Sequence, residues 1–134
     1  MQVDGGCHCG AITFEATIDP AMAMICHCTD CQTLSATAFR VNAPAKAADF
    51  KLLSGTPKEY VKVGESGNRR AQGFCGDCGT QIYATSEEEP RAVYMLRAGA
   101  LRQRDAIVPK KQAWRRSALT WLGGWPDIPA NDKG

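Results

Sequence analysis

Seven cysteines among 134 residues constrain this chain more than any other feature. They fall into three groups: Cys7-x-Cys9, Cys26-x-Cys28-x-x-Cys31 and Cys75-x-x-Cys78. An odd number of thiols argues against a disulfide framework, and Met1-Gln2-Val3-Asp4-Gly5-Gly6 lacks the charged and apolar regions of a signal peptide. Pairs at ligand spacing point to a metal instead. Zinc is preferred to an iron–sulfur cluster, because two C-x-C pairs are unlike the common cluster spacings.

The seven thiols divide into four and three. The Cys26, Cys28, Cys31 triplet is local and can hold an ion by itself. The pairs Cys7/Cys9 and Cys75/Cys78 can complete a tetrahedron that staples segments more than 60 residues apart. Four thiolates leave no room for substrate, whereas three leave a position for water or for a thiol held as thiolate. The expectation is two zinc ions, one structural and one catalytic. In Cys75-Gly76-Asp77-Cys78-Gly79 the glycines let the backbone turn tightly, as a zinc knuckle requires. A redox C-x-x-C is the rival reading, but that motif sits where a strand enters a helix, and Thr80 to Thr85 read as a strand. In extended C-x-C segments both thiols point to one side, so His8 and His27 are expected to bond or pack locally rather than to ligate.

Elsewhere the patterning has period two. Ile12 to Ala16, Tyr60 to Val63 and Thr80 to Ala84 read as strands, with Ala38 to Val41, Phe50 to Leu53 and Ala92 to Leu96 as further candidates. Thr29-Asp30-Cys31-Gln32 fits a capping box and predicts one short helix with Cys31 in its first turn. The fold class is mainly β, with antiparallel sheets in a single domain over 1–134 and an irregular tail from about 126. Hydrophobic residues at 44% and charged residues at 22% are ordinary for a globular domain. No apolar run nears the roughly 18–20 residues of a membrane helix, and a cytoplasmic location is expected. The formal charge of +2 gives no ground for a nucleic-acid partner: seven thiolates on two zinc ions add seven negative and four positive charges, turning it to −1.

These motifs resemble the glutathione-dependent formaldehyde-activating enzyme family, which includes centromere protein V-like domains. The resemblance is carried by Gly6-Cys7-His8-Cys9-Gly10 with Phe14, by Cys26-His27-Cys28-Thr29-Asp30-Cys31 with Ala38-Phe39, and by Phe74-Cys75-Gly76-Asp77-Cys78-Gly79. It continues less specifically through Arg97-Ala98-Gly99 and from Val108 to Trp114. The resemblance implies a zinc-stapled β-tent, a structural zinc on Cys7, Cys9, Cys75 and Cys78, and a catalytic zinc on Cys26, Cys28 and Cys31. The chain departs from many members at Leu34-Ser35-Ala36-Thr37, where a small turn is usual, and at Gln112-Ala113, where His-Ile is common.

The function the resemblance implies is that of a zinc-dependent carbon–sulfur lyase or synthase acting on the S-hydroxymethyl adduct of a small thiol. Glutathione and formaldehyde are the family's reference partners. His27 and Asp30 are the nearest candidates to orient the ligands. Glutathione's carboxylates would want cations near the triplet; Arg40, Arg69 and Arg70 are available, although solvated strand charge is their ordinary reading. The alternative is a non-catalytic, zinc-stabilised binding module. Residues 91–116 hold eight Lys or Arg and one Asp, a local charge of +7, interleaved with Trp114 and followed by Trp121 and Trp125. The usual arrangement of such a segment is a basic solvated face with its tryptophans in the core.

Overall fold

The computed structural model describes all of residues 1–134. In chain order its strands are β1 (Gln2–Gly6), β2 (Thr13–Ile18), β3 (Met24–Cys26), β4 (Arg40–Ser54), β5 (Lys58–Val63), β6 (Arg69–Phe74), β7 (Gln81–Ser86), β8 (Val93–Arg97) and β9 (Lys111–Ala113). One helix, α1 (Thr29–Ser35), follows β3. The sheet runs β1-β2-β4-β8-β7-β6-β5, with β3 on β4 and β9 on β3. All pairings are antiparallel except β3 with β9. The mainly β expectation therefore holds.

Of the segments read separately as Ala38 to Val41 and Phe50 to Leu53, Arg40, Val41 and the whole of the second lie in one strand, β4, which is 15 residues long and forms the spine, while Ala38 and Phe39 precede it. Its first part pairs with β3 and β8, and its second part with β2. The register with β2 jumps from Ala16↔Phe50 to Ile18↔Ala45, which lets the strand bend from one set of partners to the other.

Alternation along the strands sorts side chains onto two faces. On one face Phe14, Ala16, Ile18, Ala43, Ala45 and Leu96 join the apolar core. Aromatic rings extend this core: Phe50 stacks on Tyr94 at 4.5 Å between centroids, and Tyr83 meets Tyr94 edge-on at 4.9 Å. Gly73 on β6 is required here, because a Cβ would run into the Tyr83 ring. On the opposite face of β4 and β8 sit Arg40, Asn42 and Arg97, all buried and none apolar.

The helix begins one residue earlier than the capping box predicts. Cys28 is its N-cap, its Sγ accepting the Cys31 N–H at 3.2 Å. Gln32 does not complete a capping box: its side chain reaches back past the cap, Nε2 donating to the His27 carbonyl and to the Ser117 carbonyl, both at 2.9 Å. A sulfur thus takes the place expected for a hydroxyl, and Cys31 still falls in the first turn. After β9 the chain continues in 3-10 turns. Trp121 and Trp125 are 54% and 59% exposed, which corrects the expectation of core tryptophans: no strand follows β9 to cover them.

Candidate metal centres

The loop after β1 and the loop between β6 and β7 bring four thiols together. The first is not extended, as both thiols of a C-x-C pair pointing to one side would require, since Gly10 N–H bonds the Cys7 carbonyl at 3.1 Å; the second makes the tight turn expected of the knuckle, Gly79 N–H bonding the Cys75 carbonyl at 2.9 Å. Gly10 and Gly79 close these turns at φ values of 82° and 75°, in the region that favours glycine. His8 N–H donates to Thr80 Oγ1 at 3.0 Å and ties the two loops together. The sulfurs of Cys7, Cys9, Cys75 and Cys78 lie within 4.8 Å of one another.

Their geometry fits zinc. Cys7 and Cys9 sulfurs are 3.5 Å apart, and Cys9 and Cys75 sulfurs 3.8 Å. A tetrahedron with Zn–S of about 2.3 Å has edges of about 3.8 Å, whereas a disulfide needs about 2.05 Å. All seven cysteines are free. Cys7 Sγ also accepts the Ile12 N–H at 3.1 Å, as suits a thiolate ligand. The strand after Cys78 gives the knuckle no helix, so the redox context is absent.

Cys26 ends β3, Cys28 caps α1, and Cys31 projects from its first turn; these three sulfurs also lie within 4.8 Å of one another. The Cys31 thiol, followed by smaller contributions that include the Lys62 ammonium, holds Cys26 down to about 5 despite burial, while Cys31 is pushed up by its contact with Cys26 and by burial. Three thiols this close together suit a soft divalent ion, which thiolates favour as ligands. No histidine joins either cluster.

His27 is buried, with Nε2 donating to Gln112 Oε1 at 2.7 Å and the ring edge-on to Phe39. Gln112 is one of the positions at which the chain departs from the family pattern, and its contact is with the residue between Cys26 and Cys28. Asp30 is exposed and bonded to Lys62 Nζ at 2.8 Å.

Two spaces meet at the triplet, sharing Cys28, Lys62 and Trp114. An outer groove of about 360 Å³ runs past Asp30, Glu65 and Ser117. An inner cavity of about 280 Å³ reaches Cys26, Cys31, Arg40, Arg70, Gln72 and Arg97. Register explains these lining residues: Cys26 pairs with Arg40, Asn42 with Arg97, and Gln72 with Ala84, so that neighbouring strands present the same face. Arg40 is only 4% exposed, which corrects its reading as solvated charge: it stands opposite Cys26, on the face that closes over the cavity. Arg70 also lines the cavity. Arg69 points elsewhere, to Glu87. The sequence pattern does not mark Arg97 or Gln72 as site residues; Arg97 shares a face with Met95 by alternation, but only the register shows what lies beside it.

Together these observations define an antiparallel β-sheet protein with two cysteine clusters of metal-ligand geometry. The chain belongs to the glutathione-dependent formaldehyde-activating enzyme family, whose model matches residues 2–117. Its fold is similar to that of a crystal structure of a Rhodobacter sphaeroides protein solved as a structural-genomics target. That comparison gives a TM-score of 0.61 at 22% identity and covers 82% of this chain and 99% of the other. No helix is long and apolar enough to cross a membrane.

Proposed function

We propose that this protein is a zinc-dependent carbon–sulfur lyase or synthase that makes or breaks the S-hydroxymethyl adduct of a small thiol. Glutathione and formaldehyde are the reference pair, as the family's description suggests. The observation that carries this reading is that the three-cysteine cluster lies against a cavity and a groove, and so can admit a substrate sulfur. Cys26, Cys28 and Cys31 would hold the catalytic ion, and Cys7, Cys9, Cys75 and Cys78 the structural one. When bound, zinc supplies a Lewis acid that lowers the pKa of a substrate thiol.

The chain's own side chains do the rest. His27, fixed by Gln112, positions the segment between Cys26 and Cys28. Asp30 lies at the groove, where its carboxylate can take the thiol proton while Lys62 balances its charge. Trp114 walls both spaces and limits water. In the forward direction a C–S bond forms at the aldehyde carbon, the carbonyl π pair moves to oxygen, and the proton ends there as a hydroxyl hydrogen. Thiols add to formaldehyde without help, so the contribution of the site is chiefly orientation. NMR exchange spectroscopy on glutathione with formaldehyde tests this: the zinc-loaded protein should speed interconversion above the spontaneous rate, and an unchanged rate would overturn the reading. A cytoplasmic location accords with the free thiols.

A second reading, a binding module, draws on the exposed Trp121 and Trp125 and on Arg116 lying 5.0 Å over the Trp114 ring. Retention of an acidic partner by protein that shows no thiol binding would favour it.

A further inference from the structure

The inner cavity has a charge imbalance that the lyase reading leaves unexplained. Arg40 and Arg97 are 4% and 6% exposed, yet neither has an ion-pair partner, and no carboxylate lines the cavity. Buried guanidiniums are ordinarily paired with acids, because removing an unpaired charge from water is costly. Here both lean on one neutral oxygen: Gln72 Oε1 accepts from Arg97 Nη2 at 2.6 Å and from Arg40 Nη1 at 3.3 Å. Arg97 Nη1 also donates to Asn42 Oδ1. Arg40 Nη2 and Arg97 Nε are left buried with no partner. Burial pushes both guanidiniums down, Arg97 to about 9, which still leaves it charged at neutral pH.

The triplet cannot supply the missing charge. Three thiolates around a divalent ion carry one net negative charge, while Arg40, Arg70 and Arg97 carry three positive, so a surplus of two remains. Lys62 adds nothing to this balance because Asp30 pairs with it. A substrate thiolate would cancel one charge; with the rest of a peptide thiol, its carboxylates included, in the outer groove, the other is left facing the cavity.

We infer that the buried Arg40–Arg97 pair is a carboxylate site for the electrophile, and that the chain therefore accepts a small 2-oxo acid in its inner cavity. This rests on the lyase reading for the position of the thiol. The outer groove, the larger of the two spaces and lined by half-buried and exposed residues, suits the body of a peptide thiol, which leaves the inner cavity to the smaller reactant. Cys26 and Arg40 are paired neighbours on adjacent strands, so the reacting carbon and the anion must be close together in the ligand. A 2-oxo acid meets this requirement, since its carboxylate is bonded directly to the carbonyl carbon, and a guanidinium fork matches that carboxylate. The step balances without a further reagent: sulfur bonds to the carbonyl carbon, the C=O π pair moves to oxygen, and the thiol proton ends on that oxygen.

The test is to titrate zinc-loaded protein with ¹³C-labelled glyoxylate and, in parallel, with neutral glycolaldehyde, following binding by NMR. Glyoxylate should bind at least about tenfold more tightly than glycolaldehyde, and Arg97→Gln should lose about tenfold or more of that affinity while keeping its zinc and its melting temperature. Equal binding of the two aldehydes by the wild type would overturn the assignment, as would unchanged glyoxylate binding in Arg97→Gln. Displacement of glyoxylate by an equal concentration of inorganic phosphate would assign the pair to a phosphate and overturn it too. If Arg97→Gln does not fold, the wild-type preference for glyoxylate over glycolaldehyde decides alone. Glutathione binding is measured separately on the same sample: glyoxylate selectivity without thiol binding keeps the anion site and removes the lyase, and thiol binding without glyoxylate selectivity does the reverse.

Discussion

Cys9 and Cys75, 66 positions apart in sequence, bring their sulfurs to 3.8 Å. That separation matches the edge of a zinc–thiolate tetrahedron, so one ion held there would join the loop after β1 to the loop between β6 and β7. Structural zinc contributes about 10–16 kcal/mol in zinc-finger peptides, as much as the whole stability of about 5–15 kcal/mol of an ordinary domain. Cys75→Ser should therefore unfold or aggregate, whereas Cys31→Ser should stay folded. Thermal melts of the two variants check this, and equal losses would mean that the clusters do not divide into staple and reaction centre.

Metal content follows from the same division. Protein purified without chelator should carry about two zinc ions per chain, with the three-cysteine site partly depleted because it has one ligand fewer. Elemental analysis showing less than about one ion, or iron in place of zinc, would contradict the donor-set argument.

Gln112 should matter to the triplet although it is not one of the sulfurs. Gln112→Ala strands the buried His27 Nε2–H, and residues that orient metal ligands typically change affinity by about 10–100-fold. Chelator competition should show the weaker of the two zinc ions released more easily while the tighter one is unaffected. Equal release from both sites would indicate general loosening instead.

A pH dependence is expected where β5 meets β7 and the loop before β8. Arg91 Nη1 and Nη2 donate to Glu59 at 2.6 and 2.9 Å, and Tyr83 Oη donates to it at 2.8 Å. Arg91 foremost holds the Glu59 carboxyl below its ordinary range against the opposing effect of burial, with Tyr83 adding a smaller contribution in the same direction as Arg91. The unfolded chain then takes up this proton at a higher pH than the folded one, so the stabilisation is present above the usual carboxylate range and lost as the pH falls from there through the lowered pKa of the folded state. Solvent access limits the pair to about 1 kcal/mol. Denaturant midpoints of wild type and Glu59→Gln should differ at neutral pH and converge in acid; a constant difference would remove Glu59 as the titrating group. Comparing the two proteins cancels the metal loss that acid causes in both.

The cysteine clusters were legible because their spacings are short and their chemistry is local. The helix was legible for the same reason, although the cap proved to be Cys28 Sγ and not the Thr29 hydroxyl. Strands β3 and β9 are too short, at three residues each, to show a period. Strand β6, Arg69-Arg70-Ala71-Gln72-Gly73-Phe74, hides its pattern for a physical reason: Arg70 and Gln72 face a polar cavity, and Gly73 yields its side-chain space to Tyr83. Arg40 and Arg97 carry the same lesson. Alternation assigns each to a face, but burial there depends on the pairings Cys26↔Arg40 and Asn42↔Arg97, which only the assembled sheet fixes.

The central claim is that the Cys26, Cys28, Cys31 site admits a substrate sulfur. It is tested most directly by calorimetric titration of zinc-loaded protein with glutathione and other small thiols, in buffers of different ionisation heat. The account predicts saturable binding with release of about one proton near neutral pH, because the thiol is taken up as thiolate, and loss of that binding in Cys28→Ser. A fully metallated wild-type protein that binds no small thiol would contradict it.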